Sequence, residues 1–147
     1  MAVGSTHVFR VALQNAPAVY REIEVGSEKS LADLAKAIVK AFDFDFDHAF
    51  GFYSALKGRN VMRTQPKYEL FADMGEADEA QSVKKTRVSA AFPGVGHKLL
   101  FLFDYGDDWR FTVEVIGRGQ KEPNARYPKV LKKVGPSPEQ YAGVDDE

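Results

Sequence analysis

Cysteine is absent from the 147 residues. That removes disulfides, thiol nucleophiles and thiolate metal sites, and it fits a reducing compartment. No apolar run approaches the roughly 20 residues that a membrane-spanning helix needs. The opening MAVGSTHVFRVAL lacks the charged stretch followed by an apolar one that marks a secretory leader. The expectation is a cytoplasmic protein with no membrane partner. Strong charge of either sign is missing too, the formal net charge being -1. Wholesale polyanion binders are usually basic, so any nucleic-acid contact must come from a local patch. There is no G-x-S-x-G elbow, and His7, His48 and His97 have no Ser/Asp context near them in sequence. Gly94-Val95-Gly96 and Gly117-Arg118-Gly119 lack the rest of any phosphate-binding fingerprint. With no repeat, low-complexity tract or linker, residues 1–147 are expected to be one domain, with about 136–147 an extended or frayed tail.

What is present suits a folded domain: 44% of residues are hydrophobic and 28% charged. A chain of this size buries about two thirds of its unfolded surface. The segment around which the rest is organised is HKLLFLFDYGDDWRFTVEVIG, residues 97–117. Leu99, Phe101, Phe103 and Tyr105 alternate with Lys98, Leu100, Leu102 and Asp104. Beyond Tyr105-Gly106-Asp107-Asp108, the residues Trp109, Phe111, Val113 and Val115 alternate with Arg110, Thr112, Glu114 and Ile116. Two period-2 runs joined by a Gly/Asp loop predict an antiparallel hairpin, with Gly106 supplying positive φ at the bend. The first run is apolar on both faces and should be a central strand, covered above and below.

Upstream, residues 6–13 favour a strand, and Gln14-Asn15-Ala16-Pro17 is turn chemistry. Residues 19–25 then alternate Val19, Arg21, Ile23 and Val25 against Tyr20, Glu22 and Glu24, predicting a second, antiparallel strand. Ser30 with Asp33 resembles a capping box with Asp in place of Glu. Leu31, Leu34, Ala35, Ile38, Val39 and Phe42 follow at helical spacing, with Lys36 and Lys40 outside the stripe. A third strand is expected over 49–56, a surface loop with one helical turn over 61–82, and a short helix over 88–92. A short edge strand fits 127–131, and Pro136 and Pro138 exclude regular structure beyond it. The fold class is therefore α+β: a mainly antiparallel or mixed sheet with one main amphipathic helix packed on it. The β-β-α-β opening is β-grasp-like.

Three segments resemble one family. Pro17-Ala18-Val19-Tyr20-Arg21-Glu22-Ile23 is similar to its N-terminal P-x-[IV]-[WY]-R-x-[IL] strand. Phe46-Asp47-His48 with Phe50 resembles the aromatic/His segment after its first helix. Asp104-Tyr105-Gly106-Asp107-Asp108-Trp109 is similar to its hallmark Y-D-[FY]-G-D-x-W. The family is the plasmid pRiA4b ORF-3-like group, also labelled as insertion-element passenger proteins. The resemblance spans nearly the whole chain and implies no particular chemistry. This chain departs from the pattern at Phe111, where a polar residue is usual. It departs again at residues 137–143, a reduced form of the family's P-P-E-D-x-G-G element.

The candidate functional surface is Asp104, Tyr105, Asp107, Asp108 and Trp109 with His48. Carboxylates at a hairpin end can hold a hard cation such as Mg²⁺ or Mn²⁺. They are equally what a tight turn requires, and the turn role is the expectation, with no cofactor. The main reading is a non-catalytic binding module for a protein partner. The alternative is a divalent-metal phosphoester or nucleic-acid hydrolase, with Asp104, Asp107 and Asp108 on the ion and His48 or His97 as acid/base. Asp43, Asp45 and Asp47 imitate the first half of a calcium loop, but His48 stands where glycine is needed and Ser54 where glutamate is. Last, Arg118, Lys121, Arg126, Lys129, Lys132 and Lys133 face only Glu122 in the arm 118–133. That arm is a candidate surface for nucleic acid or an acidic partner.

Overall fold

The computed structural model describes residues 4–70 and 80–140. Its strands are β1 (Ser5–Leu13), β2 (Ala16–Gly26), β3 (Phe50–Tyr53), β4 (Lys67–Glu69), β5 (Gln81–Ser82), β6 (Lys98–Phe103), β7 (Trp109–Gln120) and β8 (Lys129–Val134). Its helices are α1 (Leu31–Ala41) and α2 (Val88–Ala91). The strands form one sheet in the order β5-β4-β3-β6-β7-β1-β2-β8. Only the β4–β5 pair is parallel among the described residues.

The hairpin forms as its alternation predicts, with Phe103 opposite Trp109 and Lys98 opposite Glu114. β6 is buried on both faces. Leu99, Phe101 and Phe103 enter the main core, while Leu100 and Leu102 pack with Tyr53 and Val61 in a smaller core on the other side. The second core is closed by a 3-10 turn at Val61–Arg63.

Helix α1 begins at the predicted capping box. Ser30 Oγ accepts from the Asp33 amide at 3.1 Å, and the Asp33 carboxylate accepts from the Ser30 amide at 3.3 Å. Each residue of the predicted apolar stripe is fully buried. Burying a Leu or Ile side chain contributes about 2 kcal/mol, so this stripe, rather than helix propensity, holds α1 in place.

Several boundaries differ from expectation. β7 continues past residue 116 to Gln120, because β1 pairs along it as far as Ser5. Gly119 allows this approach, since a Cβ there would meet Thr6 Oγ1 at 3.0 Å. The expected loop at 61–82 contains β4 and β5, strands too short to register a period. β3 is only Phe50–Tyr53, and the edge strand starts at Lys129, immediately after Pro128. Residues 71–79 of the expected loop, and residues 141–147 of the expected tail, lie outside the described residues. The β-grasp comparison stops at the order of elements, since β6, β7 and β1 lie between β3 and β2. No helix among the described residues is long and apolar enough to cross a membrane.

Candidate functional site

The acidic turn occupies residues 104–108, between the closing pair Phe103 and Trp109. Positive φ falls at Asp104 (65°) and Asp108 (59°), not at Gly106. This corrects the expectation for the glycine. Aspartate tolerates the left-handed region because its short carboxylate can bond local backbone. Asp104 does so: its Oδ1 accepts from the Gly106 amide at 3.2 Å and from the Asp107 amide at 3.3 Å. Its carbonyl accepts from the Asp108 amide at 2.6 Å, and its own amide donates to Ala49 O at 2.9 Å. Asp104 is buried, whereas Asp107 and Asp108 are exposed.

The second carboxylate oxygen of Asp104 lies 3.4 Å from His48 Nε2. The same nitrogen is 3.4 Å from Asp47 Oδ1. Two segments distant in sequence therefore meet at one imidazole. His97 does not join them. It precedes β6 while Asp104 follows it, a separation of roughly 20 Å at ~3.3 Å per strand residue. Asp108 turns the other way, receiving Arg110 Nε at 2.8 Å, and Arg110 Nη1 donates to Gly58 O at 2.8 Å. Among the described residues no three His, Asp or Glu side chains gather as metal ligands.

Tyr105 points to the smaller core. Its hydroxyl is 2.9 Å from that of Tyr53, which donates to Glu69 Oε2 at 2.5 Å. Burial, the Glu69 carboxylate and Tyr105 together push the Tyr53 phenol far above its ordinary range. Gly51 makes room for this pair, since a Cβ there would lie 2.7 Å from the Tyr53 hydroxyl. No local pattern announces Tyr53 or Glu69, which come from β3 and β4. Trp109 packs edge-on to Phe44 at 4.8 Å, and its buried indole N–H has no acceptor among the described residues.

The Asp43–Asp47 segment is bound to the chain after β8. Asp43 accepts from Ser137 Oγ at 2.6 Å, which holds its pKa down, and the Asp45 amide donates to Gln140 at 2.7 Å. Phe42 and Phe44 are buried, but Phe46 remains 42% exposed. Phe111, the departure from the family pattern, packs against Phe42 at 5.0 Å.

The basic arm is divided. Arg118 Nε donates to Thr6 O at 3.3 Å. Lys121 is paired with Glu28 at 2.6 Å, and this bond holds the Glu28 carboxyl below its ordinary pKa. Arg126 is exposed in the connection to β8. Lys129 and Lys132 stand opposite Glu24 and Glu22 of β2, and Lys133 opposite Arg21. The six cations do not make one continuous stripe.

One mixed eight-stranded sheet, few helices and a hairpin turn tied down by its own aspartate define a small, sheet-based α/β domain. The chain belongs to the plasmid pRiA4b ORF-3-like protein family, whose model matches residues 5–146. Its fold is similar to that of a protein of unknown function, MM3350, from Methanosarcina mazei Go1. The TM-score is 0.77 and the identity 19%, over 96% of this chain and 75% of that one. No curated protein matches this chain.

Proposed function

We propose that this protein is a non-catalytic binding module that acts on another protein. The observation that carries this reading is the commitment of Asp104. Its Oδ1 serves two backbone amides of its own turn, at 3.2 and 3.3 Å. A carboxylate spent on the bend is poorly placed to serve an ion as well. Asp108 is likewise engaged, with Arg110. The hydrolase alternative asks for Asp104, Asp107, Asp108 and an imidazole in one cleft, whereas Asp108 is paired with Arg110 and the imidazole of His48 stands beside Asp104 and Asp47. The nucleic-acid alternative asks for a continuous basic arm, and Lys121 is neutralised by Glu28. The lack of cysteine supports work in a reducing compartment such as the cytoplasm.

Calorimetric titration with Mg²⁺ and Mn²⁺ tests the reading. The expected result is no micromolar site, with Asp107→Ala and Asp108→Ala changing stability more than any metal response. Micromolar binding lost in those variants would overturn it. A salt-dependent gel shift with duplex or single-stranded nucleic acid would turn the reading towards the arm instead.

A further inference from the structure

Helix α1 does not cover the whole of its face of the sheet. β8 extends the sheet past β2, and a groove runs between β8 and the outer side of α1. It consists of two adjoining hollows of about 380 and 260 Å³ that share Ala37, Lys40 and Pro128. Its walls are apolar: Ala37 and Ala41 from the helix face Pro128 and Val130 from the arm. Val130 remains 43% exposed.

The rim is cationic. Lys29, Lys36, Lys40 and Lys133 line the two hollows. None of the four forms an ion pair among the described residues. The two acids on the rim are already engaged: Asp33 closes the helix capping box and Asp43 accepts from Ser137. Four ammonium groups outside any such ion pair thus line an aliphatic trough, with Lys133 near enough to Asp43, and Lys29 to Glu28, to help hold those carboxyls below their ordinary pKa.

From this charge pattern we infer that the groove binds an acidic peptide segment of a partner protein, one that also carries one or two aliphatic side chains. Carboxylates meet the lysines, and the aliphatic groups cover Ala37, Pro128 and Val130. A nucleic acid fits less well. Base recognition on single strands uses stacked aromatics, and Tyr127 is the one aromatic ring lining these hollows. Lysines on an edge strand also guard against sheet-to-sheet aggregation. That duty explains Lys129 and Lys132 on β8, but not three lysines on or beside α1. The inference rests on the binding-module reading and is separable from it, because metal titration can leave the module intact while the groove fails.

The test uses the full chain and a set of short fluorescent peptides that alternate glutamate with leucine, isoleucine or valine at varied spacing. All-glutamate peptides and a single-stranded oligonucleotide serve as comparisons. Anisotropy measures binding, and amide shifts in nuclear magnetic resonance locate it. The expected result is salt-sensitive binding of the mixed peptides, with shifts at Ala37, Lys40 and Val130. The paired change Lys40→Glu and Lys133→Glu should weaken it about tenfold or more, as removal of steering and contact charges does. Both lysines are exposed, but Lys40 lies in the last turn of α1 and Lys133 near Asp43. A small fall in melting temperature is therefore expected, and Lys40→Gln with Lys133→Gln serves as the milder pair; Val130→Glu tests the trough separately. Equal or tighter binding of the all-glutamate peptide or the oligonucleotide would overturn the inference, as would shifts elsewhere. Absence of binding up to millimolar peptide would leave these lysines as a solvated surface and overturn it too.

Discussion

Arg21 Nη2 donates to the Ser137 hydroxyl at 3.0 Å, and Ser137 passes its own hydrogen to Asp43 at 2.6 Å. One buried guanidinium thereby joins β2, the end of α1 and the chain after β8. Its Nε caps the helix at Ala41 O (3.0 Å), and Nη1 serves Tyr20 O (2.9 Å) and Val134 O (3.0 Å). The Phe42 ring lies 4.6 Å from the guanidinium carbon. Burial lowers the pKa and Asp43 opposes the shift, but an arginine remains charged. Arg21→Lys offers one ammonium to these four acceptors and should cost about 2 kcal/mol. Arg21→Ala adds a cavity and should cost about 4 kcal/mol. Guanidinium chloride unfolding measures both, and parental stability in the lysine variant would mean that water serves those carbonyls.

The turn makes a graded prediction. Asp104→Asn keeps an acceptor for the Gly106 and Asp107 amides and a residue that tolerates positive φ. It should cost about 1 kcal/mol, the part owed to His48. Asp104→Ala loses the acceptor and strains the backbone, and should cost about 3 kcal/mol. Asp108→Gly should be neutral or stabilising, because φ is 59° there and glycine carries no penalty. Gly106→Ala should be mild, since Gly106 has no positive φ and the atom nearest a Cβ there is Asp104 Oδ1 at 3.5 Å. A reversed order, with Gly106→Ala the most damaging, would restore the glycine as the pivot of the bend.

How far the sequence reaches can be judged from such residues. The α1 stripe and its capping box are legible because a local period repeats across several turns. The double burial of β6 is legible because both of its faces are apolar. Arg21 is visible as an anomaly, standing among Val19, Ile23 and Val25 on the inward face of β2. The Tyr53–Tyr105 pair is not visible, because its members are 52 residues apart and each fits its own strand or turn unaided. The groove beside α1 is hidden for the same reason. Its lysines look like the solvated faces of two separate elements until β8 is laid against β2.

Trp109 has an indole N–H that is buried and lacks an acceptor among the described residues. Such a donor costs about 1–3 kcal/mol relative to a satisfied one. Trp109→Phe removes the orphan while keeping an aromatic edge against Phe44. The lost packing and the relieved donor should nearly cancel, leaving stability within about 1 kcal/mol of the parent. Trp109→Ala relieves the same donor but opens a cavity, and should cost about 3 kcal/mol. Equal losses in the two variants, read by urea unfolding, would show that the nitrogen is hydrogen-bonded in solution.

His7 predicts how stability depends on pH. It is fully buried between Ser27 Oγ, 2.7 Å from Nδ1, and Phe92 O, 2.8 Å from Nε2. The carbonyl can only accept, so Nε2 carries the hydrogen and Nδ1 receives one from the serine. Burial lowers the pKa; the Phe92 carbonyl pulls it back, and the Arg118 charge lowers it further. The unfolded chain titrates this group near 6.5. Between that value and the lower folded one, the unfolded state holds more protons, so stability rises with pH. The contribution is complete above 6.5 and is lost as the solution is acidified towards the folded pKa. Glu28 and Asp43, both lowered below ordinary carboxylate values, lose their share only at more acidic pH. Urea unfolding at a series of pH values should give a slope below neutrality that flattens in His7→Gln. Glutamine is expected to lower stability at every pH by disturbing packing, so the decisive quantity is the slope and not the midpoint. An unchanged slope would mean that another group carries the acid sensitivity and that folding leaves the proton affinity of His7 as it is in the unfolded chain.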